Sequence, residues 1–258
     1  MPTVSTILAA VNALAPFSLR EDWDNCGLLV GDPCAPAGKI GVCLDITVAQ
    51  IAQAQALGIQ CIVSHHPVIF KPEEQKFLAP SPAYLLARTG LAAIAAHTNL
   101  DSAEGGVNDV LAGIIGLQNV KPFALPGLNG TLFRGGKLEM PMSASDFARL
   151  VGDTLDAYVH YADGGRAIQQ VAVCGGGAGE YVGDMARIGY DAYLTGEARH
   201  HEFLTARAAG ITLLTAGHYE TEVPVVAAFA AALRRALPEI EVIVLEEENP
   251  VCTAYLEK

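Results

Sequence analysis

Apolar runs rich in β-branched residues recur along this chain at helix-sized intervals. Gly38 to Leu44 reads as a strand, Thr47 to Leu57 as a helix, and Ile59 to Val63 as the next strand after a break at Gly58. A helical stretch from Ala83 to Arg88 then leads into a further strand, Leu91 to Ala96. Strands alternating with helices of this length predict an α/β fold with a largely parallel sheet. Runs that are apolar on both faces, such as Cys61-Ile62-Val63, predict strands covered by helices on both sides. Near the N-terminus, Ile7, Leu8, Val11 and Leu14 keep helical spacing and Pro16 closes the segment.

The pattern weakens in the middle, where Pro122, Pro126, Gly127, Gly130, Gly135 and Gly136 cluster. A lobe boundary is placed near 122–130, giving a first lobe over 1–125 and a second over 126–258, with the C-terminal segment able to pack back on the first. Beyond it the first pattern returns. Val171 to Cys174 is a strand, Tyr181 to Arg187 a helix, and Tyr190 to Leu194 a strand after Gly189. Segment 41–64 lies over 172–195 without a gap, so that Val42 meets Val173, Cys43 meets Cys174, Gly58 meets Gly189 and Ser64 meets Thr195. The shared order of strand, helix, glycine, strand and hydroxyl points to two related α/β lobes, although ordinary α/β periodicity supplies part of that order.

Composition narrows the function classes. The 258 residues suit one large domain or two small ones. Sixteen Lys and Arg stand against 28 Asp and Glu, a net charge of −12. That leaves little base for a phosphate-gripping face, so nucleic-acid binding is not expected. Mean hydropathy is high, at +0.31. Even so, the longest apolar stretch, Val223 to Leu233, ends at Arg234 and Arg235 and contains Pro224. Neither a membrane span nor a signal peptide is expected. The six cysteines form no C-x-x-C pair, and Cys43, Cys61 and Cys174 lie in strand-like runs. They read as small core residues of a protein in a reducing cytoplasm.

The seven histidines carry most of the chemical information. His65 and His66 follow the strand Ile59 to Val63, through Ser64. His97 ends the strand Leu91 to Ala96, with Asp101 four residues on. His218 follows the strand Ile211 to Thr215, with Glu222 four residues on. In open parallel sheets ligands bind beyond the carboxyl ends of strands, so these groups can converge. Imidazole with carboxylate is the donor set of Zn, Mn, Fe or Co sites. One ion takes three or four protein ligands. His65, His66, Asp101, His218 and Glu222 exceed that, and predict two divalent ions with Glu222 as the bridge. His97 is left to orient a ligand or to shuttle protons. Pro224 suits a first helical turn, which puts Glu222 at that helix's start and His218 in the loop before it.

Other motifs are weaker. Thr195-Gly196-Glu197-Ala198-Arg199-His200-His201-Glu202 holds the place in the second lobe that Ser64-His65-His66 holds in the first. The fixed charge of Arg199 disfavours a cation there, so Glu197, His200 and His201 read as lining of a substrate cavity or a subunit contact. Gly175 to Gly179 lacks nucleotide-loop spacing and reads as a tight strand-to-helix turn. Trp23 reads as a packing anchor, with Asn25 and Gly27 shaping a loop near the site.

The segments W-D-N-C-G-L-L-V-G-D (23–32), S-H-H-P-V-I-F (64–70), A-H-T-N-L-D (96–101), T-G-E-A-R-H-H-E (195–202) and G-H-Y-E-T-E (217–222) occur in that order. Together they closely resemble the Nif-three-like family, in its short bacterial form, whose members carry the label GTP cyclohydrolase 1 type 2 homolog. The resemblance covers nearly the whole chain. It implies two α/β lobes with mixed, largely parallel sheets covered by helices, a dinuclear metal site in the cleft between them, and a toroidal homohexamer with its sites facing an internal cavity. Its ligand pattern falls on the same residues, His65, His66, Asp101, His218 and Glu222. The one departure is Cys26, where an apolar residue is common. No residue set here specifies guanine recognition. The expected activity is metal-dependent hydrolysis of an unidentified substrate. Metal trafficking or cofactor assembly, and a non-catalytic regulatory scaffold ring, are the alternatives.

Overall fold

The computed structural model describes residues 1–71 and 76–252. In chain order the elements are α1 (Val4–Leu14), β1 (Gly27–Val30), β2 (Lys39–Cys43), α2 (Val48–Ala56), β3 (Cys61–Ser64), α3 (Pro82–Thr89), β4 (Ala92–Ala95), α4 (Thr98–Ser102), α5 (Val107–Ile114), β5 (Gln118–Phe123), β6 (Phe133–Met142), α6 (Ala144–Leu155), β7 (His160–Ala162), β8 (Ile168–Val173), α7 (Val182–Ile188), β9 (Ala192–Thr195), α8 (His200–Ala209), β10 (Thr212–Thr215), α9 (His218–Glu222), α10 (Pro224–Ala236) and β11 (Glu241–Val244).

They build two sheets. The first has the order β1-β4-β3-β2-β11, the second β5-β6-β8-β9-β10-β7. In the first, β4, β3, β2 and β11 run parallel and only β1 is antiparallel. In the second, β8, β9 and β10 are parallel, with antiparallel strands completing both flanks. The fold is therefore α/β, as the strand–helix alternation predicts, with both sheets mixed and the first mainly parallel.

The apolar runs are explained by double coverage. On one face of the first sheet Ile40, Val42, Cys61, Val63 and Ile94 pack with Ile7 and Val11 of α1 and with Phe229 and Leu233 of α10. On the other, Cys43, Ile62 and Ala93 pack with Ile51 of α2 and Leu86 of α3. The second sheet repeats the scheme, with Phe147 and Val151 of α6 on one face and Met185 of α7 and Ala206 of α8 on the other. Successive strand residues face opposite ways, so a strand buried on both sides reads as a near-continuous apolar run.

The chain does not change sheets at the proline- and glycine-rich stretch. β5 begins at Gln118 and already pairs with β6 of the second sheet. The last strand, β11, returns beside β2 and completes the first sheet. Helix α5 spans the seam, with Val107 in one core and Leu111 in the other. Among the described residues no helix is long and apolar enough to cross a membrane.

Candidate metal centre

The parallel strands of both sheets end at one place. There β3 delivers Ser64-His65-His66, β4 leads through His97 into α4 with Asp101, and β10 leads into α9 with His218 and Glu222. The last arrangement corrects the sequence expectation. His218 does not lie in a loop; it opens a five-residue helix that ends at Glu222 and is followed at once by α10. Four-residue spacing on a helix puts both side chains on one face. His218 Nε2 lies 3.2 Å from Glu222 Oε2.

All six expected groups converge. Glu222 Oε2 is 2.9 Å from His66 Nε2 and 3.8 Å from His65 Nε2. Asp101 Oδ1 is 3.7 Å from that same His65 nitrogen. Three trios each place their potential ligand atoms within 4.8 Å of one another: His65, Asp101 and Glu222; His66, His218 and Glu222; and His65, His66 and His97.

The hydrogen bonds behind the imidazoles fix how they face. His65 Nδ1 meets the Ala96 carbonyl at 2.9 Å. His66 Nδ1 meets Asp45 at 2.9 Å, His97 Nδ1 meets Asp24 at 2.9 Å, and His218 Nδ1 meets Glu197 at 3.2 Å. Each partner is an acceptor, so each Nδ1 carries the proton and donates it. In a neutral imidazole that leaves Nε2 as a lone pair, and for His65, His66 and His218 that lone pair points at the carboxylates. His65 Nε2 is buried and has no hydrogen-bond partner at all. An orphaned buried acceptor costs about 1–3 kcal/mol, which a cation would relieve. Acceptors facing acceptors at 2.9 Å need a proton or a cation between them. Burial and donor chemistry therefore fit a divalent ion.

Without an ion the cluster holds protons instead. Burial lowers the pKa of His66, but its hydrogen bonds to Asp45 and Glu222 outweigh this and raise it to about 10. For His218 the bond to Glu222 is the main cause of a rise to about 9. Burial pushes Asp101 up to about 7. Glu222 is also buried, which would raise it, yet the imidazoles of His218, His65 and His66 hold it well below the usual carboxylate range.

Sequence reasoning missed the orienting carboxylates Asp24 and Asp45, and read Glu197 as cavity lining or a subunit contact without its bond to His218. Neither Asp24 nor Asp45 sits in a periodic pattern. Asp24 belongs to a loop and its side chain is fully buried, accepting from His97, from both the backbone and hydroxyl of Thr98, and from the thiol of Cys26. Burial and the nearby Asp24 charge push that thiol up to about 12. The glycine run has its own explanation. Gly176 has φ +65°, and a Cβ there would run into Oε1 of Glu222. Its neighbouring amides are used internally, by Asn108, Thr221 and Thr195, and so form no anion cradle. Trp23 departs from its expected role: it is 60% exposed, not a buried anchor. His201 is exposed and takes no part in the cluster.

Beside the cluster opens a cleft of about 800 Å³. Asp45, Glu197, Arg199, His66, His218 and Tyr219 are among its lining.

Relatives share both the sequence and the fold. A Clostridium perfringens protein named GTP cyclohydrolase 1 type 2 homolog is 28% identical over 252 residues, covering 95% of this chain and 96% of the relative. A Nostoc protein of the same name is 34% identical over 194 residues, covering 72% and 73%. The crystal structure of Staphylococcus aureus protein SA1388 superposes with a TM-score of 0.87 at 24% identity, over 99% of both chains. Reduced HcgD from Methanocaldococcus jannaschii superposes at 0.82 with 28% identity, over 95% and 98%. The profile of Duf34/NIF3 (NGG1p interacting factor 3) matches residues 2–250. With that match running through both sheets and every residue of the cluster, the chain belongs to the Duf34/NIF3 family.

Proposed function

We propose that this protein is a hydrolase dependent on two divalent metal ions, drawn from Zn, Fe, Mn and Co. One observation carries the reading: two of the three trios, His65-Asp101-Glu222 and His66-His218-Glu222, share only Glu222. Each trio would hold one ion, and Glu222 would bridge them. When bound, such a pair supplies Lewis-acid polarisation and acidifies water at neutral pH.

The chain's own residues do the rest. Asp45, Glu197 and the Ala96 carbonyl keep His66, His218 and His65 in the Nδ1–H tautomer, with Nε2 presented. Asp24 holds His97 in the same way at the edge of the cluster, where its imidazole can take or return a proton. The cleft is rich in carboxylates, with Asp45, Glu180, Glu197, Glu202 and Glu220 against the single Arg199. Two divalent ions would largely offset that charge, so the field by itself selects no substrate class. The GTP in the relatives' names is therefore not carried over to this chain. The toroidal homohexamer belongs to the same reading, and sedimentation velocity tests it.

Metal analysis of protein loaded with each ion in turn tests the proposal, together with turnover on an amidohydrolase panel. The expected result is two ions per chain and metal-dependent turnover. Fewer than one ion per chain after loading, or equal turnover by wild type and His65→Ala, overturns it.

A further inference from the structure

Large apolar side chains standing in water beside a polar centre call for a physical account. Trp23 is 60% exposed and Phe70 47%. Their ring centroids lie 5.9 Å apart with the planes tilted by 49°. Each also stands 6.0 Å from the imidazole of His97, close to edge-on. His97 is in turn 5.1 Å from the ring of His65 and 5.7 Å from that of His66. Two large rings thus form a shelf that runs directly into the imidazole cluster.

The shelf is held in place rather than left loose. Asn25 Nδ2 donates to the Ile69 carbonyl at 2.6 Å, tying the turn that carries Trp23 to the segment that carries Phe70. Ile69 is buried and anchors that segment from below. The residue between Trp23 and Asn25 is Asp24, pinned by His97 and Thr98. The same turn therefore orients an imidazole with one side chain and presents an indole to solvent with the next. A buried anchor would have its faces covered. Trp23 at 60% and Phe70 at 47% exposure leave aromatic surface for another planar ring to stack on.

We propose that Trp23 and Phe70 are the binding subsite for a planar aromatic or heteroaromatic ring of the substrate, whose polar substituent reaches the cluster beside His97. This rests on the metal-dependent reading above. It adds the substrate class and two specificity-determining residues.

The test uses metal-loaded, full-length protein and three hydroxamate probes that share one metal-seeking group: acetohydroxamate, octanohydroxamate and 2-naphthohydroxamate. Trp23 is the sole tryptophan of the chain, so its emission reports on the shelf directly. The naphthyl probe is expected to quench that emission and to bind about tenfold more tightly than the acetyl probe. In calorimetry Trp23→Ala and Phe70→Ala should each remove several-fold of the gain while leaving acetohydroxamate affinity unchanged. Phe70→Ala keeps the fluorescent reporter, and the unchanged acetyl affinity shows that both variants fold.

Three results would overturn the proposal. One is naphthyl affinity unaltered by both variants. Another is octanohydroxamate binding as tightly as the naphthyl probe, because the shelf would then read apolar area and not planar rings. The third is Trp23 emission already shielded from acrylamide in ligand-free protein, because a second copy would then cover the face. Acetohydroxamate failing to bind loaded wild type would instead leave the ions without an open position and defeat the hydrolase reading, and this subsite with it. Acetohydroxamate binding without a naphthyl gain defeats the subsite alone.

Discussion

The two lobes present the same backbone to the centre and different chemistry on it. In each, a central strand flanked by parallel neighbours ends in a hydroxyl residue, Ser64 of β3 and Thr195 of β9. The next two positions are His65-His66 in the first lobe but Gly196-Glu197 in the second. In each, the neighbouring strand then runs into a five-residue helix, α4 or α9. His97 caps α4 from just outside, whereas His218 is the first residue of α9. His97 Nδ1 meets Asp24, while His218 Nε2 meets Glu222 on its own helix. One lobe thus supplies paired imidazoles and an isolated carboxylate. The other supplies Glu222, which stands in two of the trios, and a single imidazole, with Glu197 behind that imidazole. The candidate donors are thus divided between the ends of the two sheets.

The largest effect should come from the residue that serves both lobes. Glu222→Gln is expected to abolish both ions, a loss far beyond the roughly 10–100-fold typical of orienting residues. Retention of one full ion by mass spectrometry would break the idea of a bridge. Single-lobe changes should then separate the halves: His65→Ala leaves an ion with His66 and His218, and His218→Ala leaves one with His65 and Asp101. If either variant loses both ions, the trios are not independent.

Orienting carboxylates should matter less. Asp45→Asn and Glu197→Gln are each expected to weaken metal affinity about 10–100-fold without changing stoichiometry, measured by competition with a chelator. An unchanged affinity would reduce those contacts to incidental hydrogen bonds.

Proton linkage offers a check that needs no mutation. His66 and His218, raised to about 10 and about 9, are protonated in the metal-free protein at neutral pH. Metal binding must expel those protons, so affinity should rise with pH, and calorimetry in two buffers should register proton release. The stability of the metal-free protein runs the other way. A pKa raised on folding from 6.5 contributes stability that is full below that value and lost as pH climbs through 9 and 10. A chemical-denaturation series across that window should show the fall, and metal-loaded protein should not.

The smallest effect should be at Gly176. An alanine there has to hold a left-handed φ of +65° and meet Glu222. The backbone part costs about 1–2 kcal/mol. For a chain of this size that lowers Tm by about 2–4 °C per kcal/mol, readable by differential scanning calorimetry. Wild-type stability in Gly176→Ala would mean the loop moves freely away from the carboxylate.

Much of this was legible in the chain. Double-faced runs such as Cys61-Ile62-Val63 announced buried parallel strands, because a strand covered on both sides cannot alternate. His65, His66, Asp101, His218 and Glu222 could be named because strand ends in such sheets are where ligands collect. Long-range pairings were harder. Nothing in the period of Glu241–Val244 says that β11 lies beside β2, and nothing in the composition near 125 shows that β5 already belongs to the second sheet.

What the sequence alone determined is local: the doubly buried strands, the helices between them and most of the residues at the strand ends, since these follow from period and backbone preference. What only the tertiary structure decided is which groups face one another. Asp24, Asp45 and Glu197 became orienting partners, His218 joined the face of Glu222, and Trp23 stayed in solvent instead of packing inside. Those outcomes depend on distances between segments far apart in the chain, and the side-chain pattern of a single segment does not encode them.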